Sequence, residues 1–186
     1  TASAPVVNGH ANWLTTIDGV SDDYANVRGW EANSGRFFTA DEERGAAKVA
    51  VIGLTTATQL FGDQDPTGNT VRILNVPFEI IGLLERKGQS NSGRDLDDVV
   101  LVPASTARAM LTKRNKLVPR QVGNIVVKVG DDADIEDAKR EIEETLRKRR
   151  RAQANGNDDF FVRDLADFVR TRNAAHPFRI PLGERH

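Results

Sequence analysis

Gly88-Gln-Ser-Asn-Ser-Gly93-Arg94-Asp95 carries two glycines at the spacing of a phosphate-cradling loop, a spacing that serves nucleotide binding. That chemistry needs a lysine to reach the phosphates and a hydroxyl to hold magnesium, and Arg94 and Asp95 stand in those two places. An aspartate there repels phosphate, so the segment reads as an exposed loop. Asp95, Asp97 and Asp98 follow closely and have the oxygen donors of a hard-cation site. They lack the alternating ligands, central glycine and distal glutamate of a calcium loop, so they read as solvated acids leading into a strand. Asp22-Asp23 and Asp158-Asp159 read the same way.

Nucleophilic and transition-metal chemistry fare no better. The chain has no cysteine, which excludes thiolate catalysis, cysteine-ligated zinc, iron–sulfur clusters and disulfides. Its histidines are His10, His176 and His186, so a histidine site would have to be gathered from the two ends of the chain. Ser90, Ser92 and Ser105 have no G-x-S-x-G turn around them. Arg147 to Arg151 is an unbroken basic run, but Asp134, Glu136, Asp137, Glu141, Glu143 and Glu144 precede it. It is read as a solvated helix end, and nucleic acid is not expected as a partner. No catalytic, cofactor-binding or metal-ligating residue is assigned, and a binding or coupling module is expected in place of an enzyme.

Composition agrees. The chain has 186 residues with 26 Lys+Arg against 27 Asp+Glu, hydrophobic residues make up 39 % and charged residues 28 %. Mean hydropathy is −0.46. A chain of this size buries enough surface to hold a core without disulfides or metals. Its longest apolar run, Ala46 to Gly53, is broken by Lys48 and falls short of the roughly 18 residues that span a bilayer. The start at Thr1 shows neither a basic nor an apolar leader, and the chain is expected to be a piece of something larger.

The elements that must position these residues follow from pattern. Ala4 and Val6, then Trp13, Thr15 and Ile17, alternate as two strands joined through Asn8-Gly9. Thr39-Ala-Asp-Glu42 is a capping box opening a turn of helix over 40–44. A strand over 48–52 and a helix over 54–61, closed by Gly62, come next. Asp65-Pro66-Thr67-Gly68 is a turn. Strands are expected over 70–74 and 77–84, around a tight connection at Asn75-Val76. A polar loop then runs from Glu85 to Asp95, followed by a buried strand over 99–102.

A helix over 105–113 has Ala107, Met110 and Leu111 on one face, and a basic linker spans 113–120. A strand is expected over 124–129. The acids from Asp131 to Asp134 open a helix that runs to about Arg151, with Ile135, Ala138, Ile142 and Leu146 as a narrow stripe. After Asn155-Gly156-Asn157, a strand over 160–162 and a helix over 164–172 with Leu165, Phe168 and Val169 inward complete the series.

Seven fragments then stand in order over about 80 residues. They are Val27-Arg-Gly-Trp30, Ser34-Gly-Arg-Phe-Phe38-Thr, Ala47-Lys-Val-Ala-Val-Ile-Gly53, Leu60-Phe-Gly62 with Asp65-Pro-Thr-Gly68, Val76-Pro-Phe-Glu-Ile-Ile-Gly-Leu-Leu84, Lys87-Gly-Gln-Ser90 and Asp97-Asp-Val-Val-Leu-Val-Pro103. In order and spacing the block resembles the extracytoplasmic, or periplasmic, core domain of MacB-like ABC transporter permeases. A weaker likeness continues through Val126 to Lys128 and Phe161-Val162-Arg163.

The resemblance implies an α+β fold of two mixed α/β lobes, a small βαβ-type membrane-near lobe with a second α/β lobe inserted into it. Residues 1–30 plus 121–173 would form the membrane-near lobe, its first part truncated, 31–120 the inserted lobe and 174–186 a tail. It implies no enzymatic activity here, ATP being hydrolysed in a separate cytoplasmic domain, and no cofactor. The function implied is coupling of transmembrane conformational change to export through substrate or adaptor-protein contacts. A lipoprotein-releasing type of permease domain and a substrate-binding receptor lobe are the alternatives. The implied partners are the ATPase and membrane domain of the same transporter, a periplasmic adaptor protein and a second copy in the full transporter, at the outer side of the cell membrane. Within the loop, Lys87, Gln89, Asn91 and Arg94 are the candidate partner contacts.

Overall fold

A computed structural model describes residues 1–90, 93–114, 123–130, 133–150 and 160–164. The alternation at the start of the chain folds as an antiparallel hairpin of β1 (Ala2–Asn8) and β2 (Ala11–Val20), with Ala2 opposite Ile17 and Asn8 opposite Ala11. The reversal falls on Gly9 and His10, one residue later than the expected Asn8-Gly9. Asn8 stays in the ladder and its side-chain amide donates to the Leu60 carbonyl at 3.0 Å, while Gly9 takes the left-handed φ of 56°.

Two short elements follow that periodicity did not predict, α1 (Tyr24–Arg28) and β3 (Ala32–Gly35). At five and four residues, neither is long enough to show a repeat. The next elements are α2 (Ala40–Arg44), β4 (Val49–Ile52), α3 (Leu54–Phe61), β5 (Thr70–Ile73) and β6 (Val76–Leu84). They are followed by β7 (Val99–Pro103), α4 (Ala104–Arg114) and α5 (Ile135–Arg150). The β5–β6 turn is Leu74-Asn75 and not Asn75-Val76. Both residues have positive φ, 49° and 67°, because a two-residue hairpin loop needs the left-handed region to match strand twist.

The strands form one sheet in the order β3-β6-β4-β7-β2-β1-β5, and β5 also pairs with β6. That extra ladder, Thr70 opposite Glu79 to Ile73 opposite Val76, joins the two sides of the sheet, so six strands close into a ring. The long β6 makes this possible: its first half pairs with β5, its middle with β4 and its end with β3. Alternation then sorts the core. Ala50 and Ile52 of β4, Val100 and Val102 of β7, and Phe78 and Ile80 of β6 share one cluster with Ala57 and Leu60 of α3. Val49, Val51, Val99, Leu101 and Ile81 form a second cluster, covered by Phe37, Tyr24 and Trp30. Strands β4 and β7 are buried throughout, as their continuous apolar runs require.

Residues 1–128 form one compact unit and 129–186 another. Residues 1–20, expected to join 121–173, are instead hydrogen-bonded into the sheet of the 31–120 block, through β2 to β7 and β1 to β5. The mixed α/β character holds. In the second unit α5 starts where the acids announced it: Asp134 Oδ1 accepts from the Glu136 and Asp137 amides at 2.7 and 3.2 Å. Lys139 also bridges Asp164 at 3.6 Å.

The strands expected over 124–129 and 160–162 are not formed. Ile125, Val126 and Val127 are 66, 44 and 52 % exposed and Phe161 85 %, because β-branched pattern makes a strand only where a ladder partner is present. The expected linker beyond Arg114, Asn91, the Asn155–Asn157 turn, the last helix past Asp164 and the tail lie outside the described residues, as does the Leu111 side chain.

Candidate functional site

The loop that joins β6 to β7, residues 85–98, holds the candidate contacts and is built by its own aspartates. Asp97, only 5 % exposed, accepts the backbone N–H of Lys87 at Oδ1, 2.7 Å, and of Gly88 at Oδ2, 2.9 Å. Its carbonyl accepts the Thr55 amide at 3.1 Å, at the first turn of α3. Asp95 accepts the Thr55 hydroxyl at 2.8 Å and the Asp97 amide at 2.9 Å. Asp98 accepts the Trp13 indole N–H at 2.9 Å and the Thr56 hydroxyl at 3.1 Å, and Thr56 is itself in hydrogen-bond contact with Thr15.

These acids are therefore not the solvated group that their sequence suggests. Helix α3 has Gly53 at its N-cap with no side-chain cap, and the Asp95 and Asp98 carboxylates and the Asp97 carbonyl meet its first turn, where the helix dipole favours negative charge. Among the described residues no group of three or more histidine, cysteine or acidic side chains is arranged to hold a metal ion. The sequence signal that was available, two threonines behind an uncapped glycine and an acid cluster ahead of a strand, has meaning only once the two segments are known to meet.

Beyond this base the loop is a narrow hairpin. Gln89 and Asp95 form an antiparallel bridge, Ser90 N–H donates to the Arg94 carbonyl at 2.8 Å, and Arg94 N–H donates to the Ser90 hydroxyl at 3.1 Å. Gln89 and Arg94 are exposed. The Arg94 guanidinium donates to the Thr16 hydroxyl on β2 at 3.3 Å. Lys87 is half-buried; its ammonium donates to the Gly29 carbonyl, the cap of α1, at 3.1 Å and lies 3.4 Å from Glu85. The structure thus brings Lys87, Gln89 and Arg94 to one loop, with Lys87 spent largely on holding it in place.

Away from the loop, the Glu42 and Asp65 carboxyls are held below their ordinary range, both for structural reasons. The Arg36 side chain lowers Glu42 to about 2, and the Thr67 backbone N–H lowers Asp65 in the β-turn before β5. A cleft of about 270 Å³ lies against α4, lined by Leu74, Val76, Met110 and Lys48 among others, and none of the loop residues lines it.

Comparison with known proteins matches residues 1–145 to the family described as MacB-like periplasmic core domain. A macrolide export ATP-binding/permease protein MacB from Chlorobium luteolum is 41 % identical over 165 residues, 89 % of this chain and 24 % of that protein. The corresponding MacB of Chlorobaculum tepidum is 37 % identical over 174 residues, 94 % of this chain and 26 % of that protein. The chain thus spans about a quarter of the length of these relatives. Among solved structures, the periplasmic region of MacB from Actinobacillus actinomycetemcomitans superposes with a TM-score of 0.72 at 23 % identity, covering 94 % of this chain and 73 % of that one. The extracellular domain of the ABC-type transporter YknZ gives 0.63 at 21 % identity, covering 80 and 72 %. These two likenesses are of fold.

Proposed function

The chain belongs to the MacB-like periplasmic core domain family, and on that premise we propose that it is the extracytoplasmic part of an ABC transporter permease that couples membrane-helix movement to export. The coupling runs through contacts made by the loop 85–98. The observation that carries this reading is the base of that loop, where Asp97 binds the Lys87 and Gly88 amides and so ties an exposed hairpin to a closed, densely packed sheet. A relay needs rigid elements with a shaped surface, not a titrating cleft. ATP would be hydrolysed in a separate cytoplasmic part of the transporter, and a periplasmic adaptor and a second copy of the chain would be the contacted surfaces. Among the described residues no helix is long and apolar enough to cross a membrane, so the spans would come from other segments of the transporter. Residues 121–173 belong in this scheme to the membrane-near lobe, where Ile125, Val126 and Val127 would gain a ladder partner.

The test is resistance to a macrolide in cells that express the full-length transporter. Gln89→Ala with Arg94→Ala is expected to lower resistance while the protein's abundance in the membrane stays constant. Unchanged resistance removes the loop from the coupling path. A receptor reading rests on the cleft beside Met110. It predicts saturable macrolide binding that Met110→Glu abolishes, and calorimetry on the full-length protein that detects no binding would reject it.

A further inference from the structure

By sequence, residues 85–98 carry three basic and four acidic side chains, an arrangement with no evident preference for the charge of a partner. The fold separates the two signs. Asp97 is buried against the Lys87 and Gly88 amides; Asp95 and Asp98 are half-buried and bound to Thr55, Thr56 and Trp13. Glu85 is exposed, but its carboxylate faces the Lys87 ammonium at 3.4 Å. Arg86 and Arg94 are exposed and have no ion pair among the described residues; Arg94 donates to the neutral hydroxyl of Thr16. Glu31, whose carbonyl accepts the Glu85 amide at 2.9 Å, is a further exposed acid beside the start of the loop.

We infer that the loop presents a cationic contact surface, Arg86 and Arg94 flanking Gln89, and that it docks on an acidic patch of a partner protein. The inference rests on the contact reading of this loop and adds the chemistry of what it contacts. The carboxylates of Asp95, Asp97 and Asp98 are each engaged by hydrogen bonds within the fold, and all three are less exposed than Arg86 and Arg94. The two guanidinium groups are the exposed charges of the loop that carry no ion pair among the described residues, and Coulomb attraction to a partner is strongest at the shortest separation. Guanidinium also suits carboxylate in particular, since its planar fork can meet both oxygens.

The test uses the full-length protein in discs of zwitterionic lipid and a fluorescent oligoglutamate peptide as probe. Binding is expected at low salt, is lost at high salt, and is weakened about ten-fold or more by Arg86→Glu with Arg94→Glu. Arg86→Lys with Arg94→Lys keeps the charge and is expected to keep most of the binding. Equal oligoglutamate binding by the wild type and the Glu variant, or loss of binding in the Lys variant, overturns the inference. So does loop-dependent binding of phosphatidylglycerol vesicles without binding of the peptide, which would assign the loop to a membrane surface. Transport by the Glu variant is read separately. Transport lost with peptide binding unchanged rejects the acidic partner and keeps the contact loop; transport and binding both unchanged reject both.

Discussion

The Arg36 guanidinium donates one hydrogen bond to each carboxylate oxygen of Glu42, both at 2.8 Å. The same carboxylate accepts the Thr39 amide at 2.8 Å, while the Thr39 hydroxyl accepts the Glu42 amide at 3.3 Å. The capping box legible in the sequence is therefore closed by a residue the box does not contain. Arg36 is itself pinned, its backbone N–H donating to the Ile81 carbonyl at 2.9 Å, so the chain leaving β3 is fastened at once to β6 and to α2.

This pair sets an acid dependence. Glu42 titrates at about 2 in the folded chain against an ordinary value of 4.5, so it contributes stability above pH 4.5 that is lost as pH falls toward 2. Glu42→Gln is expected to cost about 1 kcal/mol at neutral pH, a modest figure because Arg36 is half exposed, and to flatten the acid limb between pH 4.5 and 2. Thermal melts of both proteins across that window check it; parallel acid limbs would count against the pair.

Asp97→Asn keeps the shape of the side chain and removes one charged acceptor from the Lys87 and Gly88 amides. Leaving a buried N–H poorly matched costs about 1–3 kcal/mol. Hydrogen exchange at the Gly88 amide is expected to speed up far more than at Val51 in the centre of β4. Equal acceleration at both sites would mean that the change acts on the whole fold and not on the loop.

Gly53 has an ordinary φ, yet an added Cβ would lie 2.2 Å from the Asp97 carbonyl oxygen. That neighbour is backbone and cannot swing aside. Gly53→Ala is expected to destabilise by about 2 kcal/mol or more, read as a drop in the denaturation midpoint, and to loosen the loop base along with α3.

Phe78 is fully buried in the half of β6 that pairs with β5. Phe78→Ala is expected to cost about 4 kcal/mol from lost burial and the cavity left behind. The loss should accelerate exchange in β5 and β1 as well as β6 if the β5–β6 ladder closes the ring. An effect confined to β6 would show that the closure carries little stability.

Much of the secondary structure was legible. The sequence reading placed α3 over 54–61, where it is found, and β4, β7, α4 and α5 within a residue or two, because apolar runs and caps act over one or two turns of chain. The resemblance of seven ordered fragments pointed to the family that residues 1–145 match. Residues 124–129 and 160–162 have strand-like patterns and form no strand, since pattern supplies a face and not a neighbour. Of the loop 85–98, position and polarity were legible, while the roles of Asp95, Asp97 and Asp98 were not. The Asp95 and Asp98 partners Thr55, Thr56 and Trp13 lie some 40 to 85 positions away in the chain.

By itself, then, the amino-acid order determined most of the local elements within residues 1–114, the absence of thiol chemistry and the family. These depend on side-chain type and short spacing, whereas the strand-like patterns over 124–129 and 160–162 needed a ladder partner that spacing does not supply. Only the tertiary structure decided that β1 and β2 join the main sheet, that the sheet closes through β5 and β6, and that an acidic segment turns its aspartates inward and its arginines out. Each of those outcomes depends on which distant donor meets which acceptor, and that is settled by chain topology and burial, not by sequence neighbours.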